Sequence, residues 1–209
     1  MRYLEFKKRV KEIPVFSTSM LGALTDQAGT LRVQVSIWKK KGLIHSLRKG
    51  LYILNPEDRQ REPSLFYLAN QIFVPSYVSL ESALAYHGLI PEFVAATTSV
   101  TVRKTCRFEN DFGVFTYQHV IPNGFNGFES IQESEKVSAL VATPEKAVVD
   151  FLYLNLAQFK RPDRLIFTES YRFQNCEGLN RSKLRAHAKR FGSKRILLAV
   201  ESFIEEVLG

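Results

Sequence analysis

The 209-residue chain holds 29 Lys and Arg against 21 Asp and Glu, a formal net charge of +8, with 45% hydrophobic and 24% charged residues. This composition is ordinary for a soluble globular protein, with core for one large or two small domains. No apolar run approaches the roughly 20 residues needed to span a bilayer, and the start RYLEFKKRVKEI is too charged for a secretory signal, so the expectation is a cytoplasmic protein without a membrane segment. Cys106 and Cys176 lie far apart with no CxxC spacing, which reads as two reduced thiols.

Tyr3, Phe6, Val10 and Ile13 recur at helical spacing and predict a first helix that Pro14 ends. Lys7, Lys8, Arg9 and Lys11 between them form either a solvated face or a row along a phosphate strand. From Phe16 to Leu54 the pattern is a short helix, a turn, a second helix and a basic hairpin. Ser17 is the expected N-cap of the short helix, with Met20, Leu21 and Leu24 on its buried side, and Gly29 marks the turn. Thr30 caps the second helix, LRVQVSIWKKK, which stops at Gly42. Leu31, Val35 and Trp38 fall at i, i+4 and i+7, with Val33 and Ile37 widening the apolar arc. Arg32, Ser36, Lys39 and Lys40 collect opposite. Two β-prone runs then flank a turn with Arg48, Lys49 and Gly50, which reads as a wing with cations at its tip.

The charge is unevenly placed. Residues 1–55 carry eleven Lys and Arg against three Asp and Glu, whereas residues 56–209 carry eighteen of each. The whole excess therefore sits in the first quarter of the chain, where a phosphate backbone would account for it through counterion release.

Residues 56–63, a polar segment bracketed by Pro56 and Pro63, read as a linker between an N-terminal domain, 1–55, and a C-terminal domain, 64–209. In the latter, helices are expected over 64–73 and 79–89. A β-hairpin falls within 98–121 with its turn at Asn110–Gly113, a loop at 123–127 and a short strand at 136–142. Thr143-Pro144-Glu145 opens a helix carrying Ala147, Val148, Phe151, Leu152 and Leu154, and further helices follow around 163–173, 180–191 and 193–208. The fold class expected is α+β: a winged helix-turn-helix followed by an α+β domain with a small antiparallel sheet and several helices.

Chemistry-bearing spacings are few. His45, His87, His119 and His187 show no HxxH, HExxH or Cys-His pattern, so no metal is expected. His87, next to Gly88, reads as a partner of the last carbonyls of its own helix. Glu145 and Asp150 are five residues apart on one helix and point in different directions, so Glu145 reads as a dipole partner rather than a catalytic acid. No P-loop, GxGxxG or GxSxG pattern supports nucleotide binding or serine hydrolysis, so neither a cofactor nor catalysis is expected.

The KKGLI and RKGLY blocks of the hairpin, the SLESALAYHGL helix at Ser79–Leu89 and the ATPEKAVVDFLY stretch at Ala142–Tyr153 together resemble the AbiEi family of bacterial antitoxin regulators of type IV toxin–antitoxin systems, across most of the chain. The resemblance implies a DNA-binding autorepressor that recognises inverted repeats in its own operator through the winged domain. It also implies a C-terminal domain that counteracts a nucleotidyltransferase-like toxin, with no stable complex assumed. Carried onto this sequence, Arg32, Ser36, Lys39 and Lys40, with Thr30 at the helix start and Gln34 at the flank, would face the major groove of double-stranded DNA. Arg32 would be placed for a bidentate contact to guanine and Lys39 and Lys40 for phosphates. His45, Arg48 and Lys49 in the wing would reach an adjacent groove or the backbone. Arg181–Arg195 departs from the pattern with seven basic residues and no acid, as a solvated face or an extension of the DNA contact. The rivals are a free-standing repressor without a toxin and a DNA-targeted nuclease or other DNA-modifying enzyme, which should gather acids around a cleft in the C-terminal domain.

Overall fold

A computed structural model of the chain describes residues 1–20, 28–92, 94–134, 137–157, 167 and 170–209. Among them α1 (Tyr3–Val10), β1 (Phe16–Ser17), α2 (Ala28–Lys40), β2 (Ile44–Arg48) and β3 (Leu51–Leu54) form the first unit, with a three-stranded antiparallel sheet in the order β1-β3-β2. Ser17 Oγ accepts the Met20 backbone N–H at 3.3 Å, and residues 18–20 are helical, so the expected N-cap is in place. Met20, however, is 41% exposed rather than buried; Leu21 and Leu24 lie outside the described residues. The second helix starts earlier than its sequence suggests. Gly29 and Thr30 are already inside α2, so Thr30 is not its N-cap. At the other end Gly42 takes φ +71° and the Leu43 N–H donates to Trp38 O at 3.0 Å, the left-handed stop that a glycine permits.

Phe6, Phe16, Leu31, Val35, Trp38, Ile44 and Leu54 make one small core, with Trp38 stacked on Phe6 at 4.8 Å between ring centroids and meeting Tyr3 edge-on at 5.4 Å. The β2–β3 hairpin is buried on both faces. Ile44, Tyr52 and Leu54 turn towards this small core, while Leu47, Leu51 and Ile53 belong to a second, larger core built by the rest of the chain. Strand alternation thus splits one hairpin between two cores. The polar segment 56–63 is pinned against the first unit: Asp58 accepts from Tyr3 Oη at 2.5 Å and from Lys7, Arg59 Nη1 donates to Leu54 O at 3.1 Å, and the Gln60 N–H donates to Lys11 O.

The remainder holds α3 (Leu65–Ile72), β4 (Ser76–Val78), α4 (Leu80–Tyr86), β5 (Ala96–Thr101), β6 (Cys106–Asn110), β7 (Gly113–His119), β8 (Phe128–Ser134), β9 (Val137–Ala142), α5 (Pro144–Leu154), α6 (Arg181–Arg190) and α7 (Lys194–Val207). Instead of the small antiparallel sheet expected, there is a six-stranded mixed sheet in the order β6-β7-β5-β4-β9-β8, with β4–β9 and β5–β7 parallel. The shortfall has two causes. β4 is three residues long and buried throughout, and β8, FESIQES, is a polar edge strand whose alternation is weak. Tyr77 and Tyr117 stand one register position apart and so point to opposite faces of the sheet. Tyr117 Oη donates to Ala69 O of α3 at 2.7 Å on one face, and Tyr77 meets α5 on the other. The sheet therefore lies between helices. Asn70 of α3 completes it where β4 is too short: its amide spans the Leu140 backbone, accepting the N–H at 2.6 Å and donating to the carbonyl at 3.4 Å. The helix expected around 163–173 lies largely outside the described residues, and 171–173 are not helical.

Candidate nucleic-acid interface

Helix α2 presents a mixed ridge. Leu31, Val35 and Trp38 are buried as their spacing requires, with 1%, 2% and 7% exposure. Thr30, Arg32, Ser36, Lys39 and Lys40 are exposed. Val33 and Ile37, expected in the apolar arc, are 61% and 45% exposed. At 100° per residue they lie more than 100° from the centre of the buried stripe, beside Ser36 and Lys40, so the face away from the core carries cations and β-branched side chains together. Gln34 is half-buried at the flank, its Oε1 covered and without a hydrogen-bond partner among the described residues. The helix contains no acid, so nothing on it offsets its cations.

The base under this ridge is rigidly held. Asp58 anchors α1 through Tyr3 and Lys7. Burial alone would raise its pKa, but the hydrogen bonds from Lys7 and Tyr3 outweigh that and hold it below the ordinary carboxylate value. Burial, and then the hydrogen bond to Asp58, pushes the Tyr3 hydroxyl well above the usual tyrosine range, keeping it a donor.

The hairpin turn behaves differently from the helix. His45 Nδ1 lies 2.7 Å from Asp111 Oδ2 in the β6–β7 turn. Arg48 donates through Nε to Ile72 O at 2.5 Å and through Nη1 to Lys49 O at 3.2 Å. Asn110 Nδ2 donates to Leu47 O at 2.9 Å. Of the three expected turn contacts, then, Lys49 is exposed and without a side-chain tether among the described residues, while His45 and Arg48 reach into the second unit. The basic stretch Arg181–Arg195 is likewise partly engaged inside the protein: Arg181 donates to Leu208 O at 2.6 Å, Arg185 grips Glu201 through two bonds of 2.8 and 2.7 Å, and Arg195 reaches Leu156 O at 3.2 Å.

Sequence reasoning missed a buried polar centre behind the sheet. Lys146 and Asp150 are both 0% exposed and form an ion pair one turn apart on α5. Asp150 Oδ2 also accepts from Tyr77 Oη at 2.8 Å and Ser79 Oγ at 2.9 Å. Lys146 Nζ lies 4.8 Å from the Phe191 ring centroid and 5.8 Å from that of Tyr77. Burial pulls the Lys146 pKa down, against the pull of Asp150, and burial pushes Asp150 up despite Lys146 and the two hydroxyls. The one signal in the sequence was a Lys and an Asp four apart in a helix too apolar to be solvated. Gly127 makes room for this centre: at φ +73°, a Cβ there would come within 2.5 Å of His187 Cε1 and 3.0 Å of Lys146 Cγ. Glu145 is buried and accepts the Asn180 N–H at 3.2 Å, so it ties α5 to the start of α6. His87 meets the last carbonyls of its own helix through its backbone, whose N–H donates to Ala83 O at 3.0 Å, while its ring Nε2 pairs with Ala142 O, at the end of β9, at 2.8 Å.

Among the described residues no group of three or more His, Cys, Asp or Glu comes together as a metal would need, and both cysteines are free thiols. A cleft of about 340 Å³ is lined by Glu81, Glu92 and Tyr171, with Glu92 paired to Arg172 at 3.7 Å; no His or Cys joins them. No helix of the described residues is long and apolar enough to cross a membrane. The chain matches no protein-family model, and no curated protein matches it.

Proposed function

We propose that the protein is a winged helix-turn-helix DNA-binding regulator that lays the exposed ridge of α2 into the major groove. The observation that carries this reading is the outer face of Ala28–Lys40, where Arg32, Ser36, Lys39 and Lys40 stand exposed on a helix without an acid, above a tightly packed base. Arg32 supplies the planar fork that matches guanine O6 and N7, Lys39 and Lys40 meet phosphates, and Val33 and Ile37 are suited to thymine methyl groups. Lys49 at the hairpin turn adds a backbone contact. His45 and Arg48 serve mainly to dock the hairpin on the second unit, and Gln34 and Thr30 flank the reading surface. The order of elements and the three sequence blocks favour an autorepressor of the AbiEi kind, acting as the antitoxin of a type IV system in the cytoplasm. On that reading the second unit opposes a nucleotidyltransferase-like toxin without a stable complex.

Binding curves on an enriched duplex and on its scrambled counterpart test the reading. Arg32→Ala is expected to weaken the specific complex by roughly 1–3 kcal/mol and the scrambled one far less. Equal losses on both would reassign Arg32 to phosphate positioning, and no binding of the unaltered protein to duplex DNA at low salt would end the proposal.

A further inference from the structure

A second concentration of charge lies away from α2. Arg48 and Lys49 of the β2–β3 turn, Phe73 and Val74 after α3, Arg103 after β5 and Phe108 of β6 line one cleft of about 420 Å³, and none of its lining residues is an acid. Among the described residues none of its three cations has a carboxylate partner. Arg48 is held by the Ile72 and Lys49 carbonyls, which leaves its Nη2 without an intramolecular partner there. The Arg103 guanidinium sits 5.6 Å from the Phe73 ring centroid, and Phe73 and Phe108 are 5.9 Å apart.

Three like charges held at one opening repel each other, so an arrangement that fixes two of them in place favours a ligand of opposite sign. The walls add a second requirement. Phe73, Val74 and Phe108 offer apolar and aromatic surface that a bare phosphate does not use, and a guanidinium plane over a phenyl ring is a surface on which a planar base stacks. The volume is that of a small-molecule site.

We propose that this cleft binds a phosphorylated small molecule with a planar ring, a mononucleotide in the simplest case, the phosphate on Arg48, Lys49 and Arg103 and the ring against the aromatic wall. The site draws on both units, so its occupancy is felt by the hairpin that α2 leans on. It does not depend on the DNA-binding reading.

Titration calorimetry with AMP, GMP, CMP and UMP tests it on the full chain, with adenosine and inorganic phosphate as probes of each half of the ligand. At least one nucleotide is expected to bind saturably, adenosine and phosphate at least tenfold more weakly. Arg103→Ala and Lys49→Ala, both at exposed positions, should each raise its Kd about tenfold or more while leaving the melting temperature of the unliganded protein unchanged. The proposal is overturned if no nucleotide binds saturably up to millimolar concentration, if adenosine binds as well as the nucleotide, if inorganic phosphate alone does, or if both variants bind like the parent. It is also overturned if Arg103→Ala weakens a duplex and no nucleotide, which would give the cations to a nucleic-acid backbone instead.

Discussion

Replacing Lys146 by Met is expected to cost about 3–5 kcal/mol of stability, because it strands a charge rather than because it removes a bond. Both partners are fully covered, Asp150 Oδ1 loses its ammonium, and only the Tyr77 and Ser79 hydroxyls remain to face a carboxylate out of reach of water. For a chain of this size such a loss lowers the midpoint of thermal unfolding by roughly 10 °C. Adding Asp150→Asn removes the stranded charge while keeping an oxygen that accepts from a hydroxyl. The double variant is therefore expected to regain about 2 kcal/mol over the single one, leaving a cost nearer that of an imperfectly paired amide. The pH dependence gives the same answer independently. Burial already holds the Asp150 carboxyl above the ordinary carboxylate range in the intact protein, and losing Lys146 raises it further. The folded state then binds more protons than the unfolded one, so the stability of Lys146→Met falls as pH rises above about 4, more steeply than in the parent. Urea unfolding of the three proteins between pH 4 and 8 measures both effects. A double variant no more stable than Lys146→Met, or a single variant with the parent's pH slope, would refute the view that an uncompensated buried carboxylate sets the cost.

Trp38→Ala, which empties the space stacked on Phe6 and met edge-on by Tyr3, is expected to cost about 3–5 kcal/mol in denaturant unfolding. Burial, followed by Lys146, depresses the His187 pKa below that of a free imidazole, about 6.5. The stability tied to its neutral form is thus complete above about pH 6.5 and is lost as pH falls below it, and His187→Asn should flatten that part of the curve. Replacing thymine by deoxyuridine in an enriched duplex removes only methyl groups. It should weaken the parent about fourfold per contacted methyl and weaken a Val33→Ala, Ile37→Ala variant much less, as seen in fluorescence anisotropy.

The parts of the fold legible in the sequence are those where a local pattern decides the outcome. Leu31, Val35 and Trp38 had to face inward together, Gly42 had to end their helix, and Thr143-Pro144-Glu145 had to begin α5, where Thr143 Oγ1 accepts the Lys146 N–H. The misses belong to features that neighbours decide. Periodicity places Val33 and Ile37 relative to Leu31 but cannot say how wide a stripe the partner covers, and here α1 and the hairpin cover a narrow one. β4 was hidden because a three-residue strand buried on both faces has no alternation to show, and β8 because an edge strand carries the polar residues that keep edges apart. The role of Asp150 is not legible in the sequence because Tyr77 and Ser79, which explain it, lie 73 and 71 positions away.

Net charge misled in the same way. The balance of eighteen cations and eighteen acids in residues 56–209 reads as an electrically quiet unit, yet a sum carries no positions. In the structure Arg185 and Arg107 are neutralised by Glu201 and Glu109, while Arg103 converges with Arg48 and Lys49 across the junction of the two units. That convergence is enforced by burial rather than by charge. Leu47 and Ile53 bind one face of the hairpin to the larger core and Ile44 and Leu54 bind the other to the smaller, so the turn between β2 and β3 is carried to the mouth of the cleft whatever the cost of bringing cations together. Hydrophobic burial of four such side chains, at about 1.5–3 kcal/mol each, exceeds the repulsion between three solvated cations, about 1 kcal/mol per pair at contact distance in water. An uncompensated cluster can therefore persist, and an anion arriving there meets donors already in place.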